Sequence, residues 1–149
     1  MSDDHGLGEE LAGPFGAVDA AALASIRSLV GRTEPLVERA EYDDSLDPQL
    51  LHLRMETGVD APGRFDVRWS DRGNYSVHYT EPALDFRFDR HPNPHSPERH
   101  VHLPPDATEV EPSCVTVDRP ELVTLAVLER WRVVLDGSLS VLNEGENPP

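Results

Sequence analysis

Between residues 51 and 89 the hydrophobic pattern repeats with a period of two, four times over. A chain that does this is committed to a sheet with one oily face and one polar face. Leu51, Leu53 and Met55 alternate with His52, Arg54 and Glu56, and Phe65, Val67 and Trp69 with Arg64, Asp66 and Arg68. Tyr75, Val77 and Tyr79 alternate with Ser76 and His78, and Leu84, Phe86 and Phe88 with Asp85, Arg87 and Asp89. The connections Asp60-Ala61-Pro62-Gly63, Asp71-Arg72-Gly73-Asn74 and Thr80-Glu81-Pro82-Ala83 are short and rich in turn formers. Short connections favour antiparallel neighbours, so the expectation is a meander of four to five strands, with residues 114–117 as the fifth.

Helical signals flank this block. Asp19 is a plausible N-cap for a helix over 20–30 that stops at Gly31, and a second helical stretch is expected after Thr33 through Leu36, Val37 and Ala40. Near the C-terminus Asp118 and Glu121 have capping-box spacing. Val123, Val127, Leu128, Trp131, Val134 and Leu135 then form one apolar stripe, which ends at Gly137. Helices, then strands, then a helix imply an α+β fold with the helices packed on one face of the sheet. The expected organisation is a flexible acidic segment over 1–17, a single domain over 18–137 and a flexible tail over 138–149.

Composition narrows the function. The chain has 149 residues, a formal net charge of −15, 28 acidic residues and 13 basic ones, all arginine. An all-arginine, acid-rich chain fits a salt-rich cytoplasm, where carboxylates keep the surface hydrated. It argues against broad nucleic-acid binding, which is driven by counterion release and needs basic surface. The single cysteine, Cys114, excludes an internal disulfide and any multi-cysteine zinc site, and its apolar neighbours point to a structural thiol. No stretch approaches a membrane span and the first residues lack a secretion signal, so the expected location is cytoplasmic, with no membrane partner.

The strand pattern puts Arg54, Arg68, Arg87, Asp66, Asp85, Asp89, His52 and His78 on one polar face. Cross-strand charge pairing accounts for such a face; a phosphate-binding surface is the alternative. The face leads into a segment from Arg87 to His102 in which four of the seven histidines, His91, His95, His100 and His102, lie within twelve residues. Prolines 92, 94, 97, 104 and 105 are interspersed or follow directly. Proline restricts φ and lowers the entropy lost when a loop orders, a means of holding polar side chains in place.

Two chemistries fit. His100-Val101-His102 puts two imidazoles on one side of an extended segment. That pair can hold a divalent metal such as zinc if Asp89, His91 or His95 supplies a third ligand. Without metal, His95, His100 and His102 can move protons near neutrality while Arg87 stabilises phosphate charge, a set able to cleave RNA through its own 2′-hydroxyl. The catalytic candidates are therefore Arg87, Asp89, His95, His100 and His102. The substrate-binding candidates are Arg54, Arg68, His78 and His91, and the metal candidates His100 and His102. A non-catalytic interaction module, docking a partner through the polar face or the last helix, is the third option.

Several short motifs occur in order along the chain: Tyr75-Ser76-Val77-His78, Arg87-Phe88-Asp89, His95, His100-Val101-His102 and Glu111-Pro112-Ser113 ahead of a closing helix. In their order and spacing, over residues from about 49 to 135, the chain resembles the TumE-like toxins of prokaryotic toxin–antitoxin pairs. The resemblance implies a small antiparallel α+β fold that inhibits growth when free and is encoded beside a DNA-binding antitoxin partner. Homo-oligomerisation is compatible with it.

Overall fold

Seven strands, more than the four or five expected, form one antiparallel sheet in the order in which they occur along the chain. The structure is a computed structural model that describes residues 15–91 and 98–144. Helix α1 (Ala20–Thr33) comes first, followed by β1 (Val37–Tyr42), β2 (Leu51–Met55), β3 (Gly63–Trp69), β4 (Tyr75–Glu81), β5 (Leu84–Arg90), β6 (Arg99–His102) and β7 (Val110–Pro112). Helix α2 (Pro120–Asp136) and a 3-10 turn (Leu139–Val141) close the described chain. The four alternating segments are β2 to β5, and every inward residue named above for them is buried.

The differences have identifiable causes. The segment after Thr33 is strand β1 rather than a second helix. A register shift between Val37 and Arg39 against β2 breaks the alternation, leaving Val37, Ala40 and Tyr42 half-buried at a spacing that imitates a helix. Strand β6 has one apolar side chain, Val101, and β7 is exposed throughout, so neither carries a period-two signal. Residues 114–117, expected as a strand, are not one.

Helix α1 follows the expected start, the Asp19 carboxylate accepting from the Ala22 amide at 3.0 Å, but runs past Gly31 to Thr33. Helix α2 has no side-chain cap. Asp118 is engaged by Arg99 of β6 instead, and Glu121 accepts from the Ser25 hydroxyl of α1 at 3.1 Å.

Both helices bury their apolar sides in the cluster built on the oily face of the sheet. Leu23, Ile26 and Val30 come from α1, and Val123, Val127, Trp131 and Val134 from α2. The Trp131 ring lies 6.0 Å from Phe65, which is itself 4.8 Å from Tyr79. Arg132 of α2 grips the Glu34 carboxylate with two bonds of 3.0 and 2.5 Å, tying the helices together at their rim.

At the end of β4 the buried Glu81 carboxylate closes the β2–β3 connection. It accepts from the amides of Val59 (2.6 Å), Asp60 (3.0 Å) and Ala61 (3.2 Å) and from the Tyr79 hydroxyl (2.5 Å). Glycine at 63 is required for this closeness, because a Cβ there would lie 2.3 Å from the Tyr79 oxygen.

The first described residues are tied in at the opposite side. Phe15 and Ala17 offer carbonyls to Asn74 and Asp71, each at 2.8 Å. Past Gly137, where the flexible tail was expected to start, Leu142 is fully buried. Among the described residues, no helix is long and apolar enough to cross a membrane.

Candidate active site

With the oily face covered by helices, the other face carries the polar side chains, and strand register decides which of them meet. Across the sheet, His52 pairs with Asp66, Asp66 with His78, His78 with Arg87, and Arg87 with His102. This is a transverse row over five strands, each step about 5 Å. A second row runs Arg68, Ser76, Asp89, His100.

At the β2–β4 end the polar groups of the row are closely paired. The His52 ring lies 2.5 Å from Asp66, which also holds Arg64 at 2.8 Å, and the His78 ring lies 2.5 Å from Asp85. His78 is engaged with Asp85, and the Arg68 guanidinium lies over the Phe15 ring at 4.5 Å. Arg54 faces Glu41 at 3.5 Å, three strands from Arg87.

At β5 and β6 the rows converge. Arg87 Nε donates to Asp89 Oδ2 at 2.7 Å, and Arg87 Nη2 meets His102 Nε2 at 2.9 Å. Asp89 Oδ2 also lies 3.3 Å from His102 Nε2 and 3.5 Å from His100 Nε2. The His100 ring sits between its neighbours, 5.0 Å from His91 and 5.1 Å from His102 in edge-to-face contacts. Of the sequence candidates, Arg87, Asp89, His100 and His102 meet, with His91 beside them; His95 lies outside the described residues.

Burial is graded across this cluster. Asp89 and His100 are almost completely enclosed, His102 retains 18% and Arg87 37% of side-chain exposure. A ligand coming from solvent therefore meets Arg87 and His102 first. Arginine has no acceptor, so its bond to His102 Nε2 requires a lone pair there and places the ring proton on Nδ1. Nδ1 is then the atom left for the hydrogen bond His102 makes to the Ala107 backbone. Ala107 adopts a positive φ of 61°, uncommon for a residue with a side chain, in the β6–β7 loop.

Electrostatics follow from this packing. Burial alone would raise the Asp89 carboxyl, but His100, the Arg87 charge, the Ser76 hydroxyl and the Arg87 hydrogen bond outweigh it and hold it below the usual carboxylate range. Burial, the Arg87 guanidinium and His100 hold the His102 imidazole below its ordinary value, against the pull of Asp89 and the Ala107 backbone. One carboxylate oxygen, Asp89 Oδ1, is buried without a hydrogen-bond partner. A polar atom left so is expensive unless something is meant to reach it.

Ser76 and Ala107 were not among the sequence candidates. Ser76 could have been found from its place on the polar side of β4 had the β4–β5 register been known. Nothing in the sequence marks the Ala107 backbone. Cys114 is half-buried, its thiol pushed up by burial and its amide bonded to Asn143 at 2.7 Å.

Comparison with known proteins adds one finding. The family model described as Toxin TumE matches residues 26–134, a span from within α1 to within α2 that includes every strand and the cluster above. No curated protein and no solved structure matches.

Proposed function

The chain belongs to the TumE toxin family, the toxin component of a toxin–antitoxin pair, and on that premise we propose that it acts on RNA through Arg87, Asp89, His100 and His102. The observation that carries the reading is the convergence of a half-exposed guanidinium with two imidazoles and a carboxylate on β5 and β6.

The cluster has two halves. Arg87 can stabilise charge developing on a phosphodiester, and its planar fork suits phosphate oxygens. Asp89, His100 and His102 form the half that activates a hydroxyl. RNA supplies that hydroxyl itself: the 2′-oxygen bonds to phosphorus as the P–O5′ bond breaks, leaving a 2′,3′-cyclic phosphate and a 5′-hydroxyl. The proton lost from the 2′-hydroxyl balances the one gained by the 5′-oxygen.

A local site suits an acidic protein. With a net charge of −15 the surface cannot hold RNA by general attraction, so affinity has to come from a few placed groups. His91, 5.0 Å from the His100 ring, is proposed as the contact flanking the reacting phosphate, Arg54, Arg68 and His78 as more distant substrate contacts along the polar face, and the cognate antitoxin as the partner that silences the free protein.

Induced expression of the wild type against a His100→Ala/His102→Ala variant tests the reading. The wild type should arrest growth and yield RNA fragments ending in 2′,3′-cyclic phosphate, and the variant, at equal soluble level, should do neither. Equal growth of the two strains would remove the reading's support.

A further inference from the structure

We propose that Asp89 Oδ2, His100 Nε2 and His102 Nε2 form a binding site for one divalent transition-metal ion of the zinc class, and that the Arg87 guanidinium occupies its place when the ion is absent. The proposal deepens the RNA reading by naming the cofactor of the same cluster, but it stands on the geometry of the three ligand atoms.

Distance is the first argument. Hydrogen bonds from an imidazole N–H to a carboxylate fall at about 2.7–3.2 Å. The two imidazole nitrogens lie 3.3 and 3.5 Å from the one carboxylate oxygen, beyond that range. Ligands of a tetrahedral zinc ion, with bonds of about 2.0–2.1 Å, stand about 3.3–3.4 Å apart. One ligand atom from each of Asp89, His100 and His102 lies within 4.8 Å of the other two, close enough for one ion to reach all three residues.

Burial and the outer shell point the same way. Asp89 and His100 are enclosed, with 3% and 2% side-chain exposure, and Asp89 Oδ1 has no partner of its own. Ligand imidazoles need the far ring nitrogen held, commonly by a backbone carbonyl, so that the near one offers its lone pair. His102 has this arrangement, its ring bonded to the Ala107 backbone and its Nε2 turned to the cluster.

Arg87 supplies the last argument. A lone pair on His102 Nε2 facing an ionised carboxylate oxygen 3.3 Å away is repulsive unless a cation lies between them. The guanidinium meets both atoms, at 2.9 and 2.7 Å, and so does what an ion would do. Being 37% exposed on an open sheet face, it has room to swing out when an ion arrives, which would free it for a phosphate.

Cobalt(II) titration of the purified full chain at neutral pH and high salt tests the site, since tetrahedral cobalt absorbs far more strongly in the visible than octahedral cobalt. The wild type should bind one equivalent with tetrahedral-type absorption that zinc displaces. His102→Gln and Asp89→Asn should each weaken binding by about 100-fold or more. Arg87→Gln should tighten it by about 10-fold, because the competing cation is gone; a purely structural cluster would not gain affinity this way.

Absence of binding to both wild type and Arg87→Gln at millimolar cobalt would overturn the proposal, as would binding unaffected by His102→Gln. Toxicity without ion binding would sink the metal site alone. Ion binding by a protein that neither arrests growth nor cuts RNA would sink the RNA reading alone.

Discussion

Two carboxylates on adjacent strands are both nearly out of reach of water, Glu81 at 5% exposure and Asp89 at 2%, yet they are treated in opposite ways. Both Glu81 oxygens are saturated by three amides and a hydroxyl. Asp89 has one oxygen crowded by a guanidinium and two imidazoles, and the other without a partner. A buried charge that is fully hydrogen-bonded to backbone is a fastening: its free energy goes into holding the 58–61 connection against β4. A buried charge ringed by groups that can themselves carry protons or ligate metal is held ready for a ligand. The contrast fits a structural role for Glu81 and the chemical role proposed for Asp89, although the sequence shows only an acid near the end of a strand in each case.

The sharpest way to break this contrast is to neutralise Asp89. Asp89→Asn should lower RNA cleavage by about 100-fold or more, read from single-turnover rates, an effect larger than its cost in urea unfolding, to which the lowered Asp89 carboxyl also contributes. A variant that cleaves normally but unfolds early would make Asp89 a second Glu81.

The converse change is next in size. Glu81→Ala removes an acceptor from three amides and a hydroxyl and should cost about 3 kcal/mol in urea unfolding, with cleavage unchanged wherever the protein stays folded. The pH dependence of that loss is fixed in sign. Burial alone would raise Glu81, but the bonds from Tyr79, Asp60, Val59 and Ala61 win and hold it below its ordinary 4.5. Its contribution is therefore complete above that value and disappears as pH falls through the lowered folded-state value. The stability gap between wild type and Glu81→Gln should shrink across that acid range; a gap that widened there would reverse the assignment.

The smallest effect is expected where a carboxylate faces arginine in the open. Glu41 lies 3.6 Å from Arg39, whose side chain is 60% exposed. Arg39→Gln should change stability by no more than about 0.5 kcal/mol, falling further as salt is added. A larger loss would mean that the polar face is stitched more tightly than its exposure implies.

How much could be read from residues alone varied along the sheet. Strands β2 to β5 were legible because each sends an unbroken run of large apolar side chains into the core, so their period survives in the sequence. Strand β1 was not, because its bulge turns a spacing of two into three and imitates a helix. Strand β6 buries only Val101 as an apolar residue, and is held by pairing with β5 and by Arg99 on Asp118. The capping-box spacing at Asp118 and Glu121 misled for a related reason: both acids are used by distant elements, which local spacing cannot report.

For the candidate site, clustering of histidines and prolines singled out Arg87, Asp89, His95, His100 and His102, of which Arg87, Asp89, His100 and His102 meet in the fold and His95 lies outside the described residues. Ser76 and the Ala107 backbone were invisible, one set by the register between β4 and β5 and the other by loop conformation. The sequence by itself thus determined which face of the sheet is oily, where the chemistry-bearing residues lie along the chain, and that their surroundings are acidic; these depend on residue type and on neighbours a few positions away. The pairing of Asp89 with His100 and of Arg87 with His102 was decided only in the folded sheet. Strand register is a long-range choice, and a slip of one residue would send each of these side chains to the opposite face.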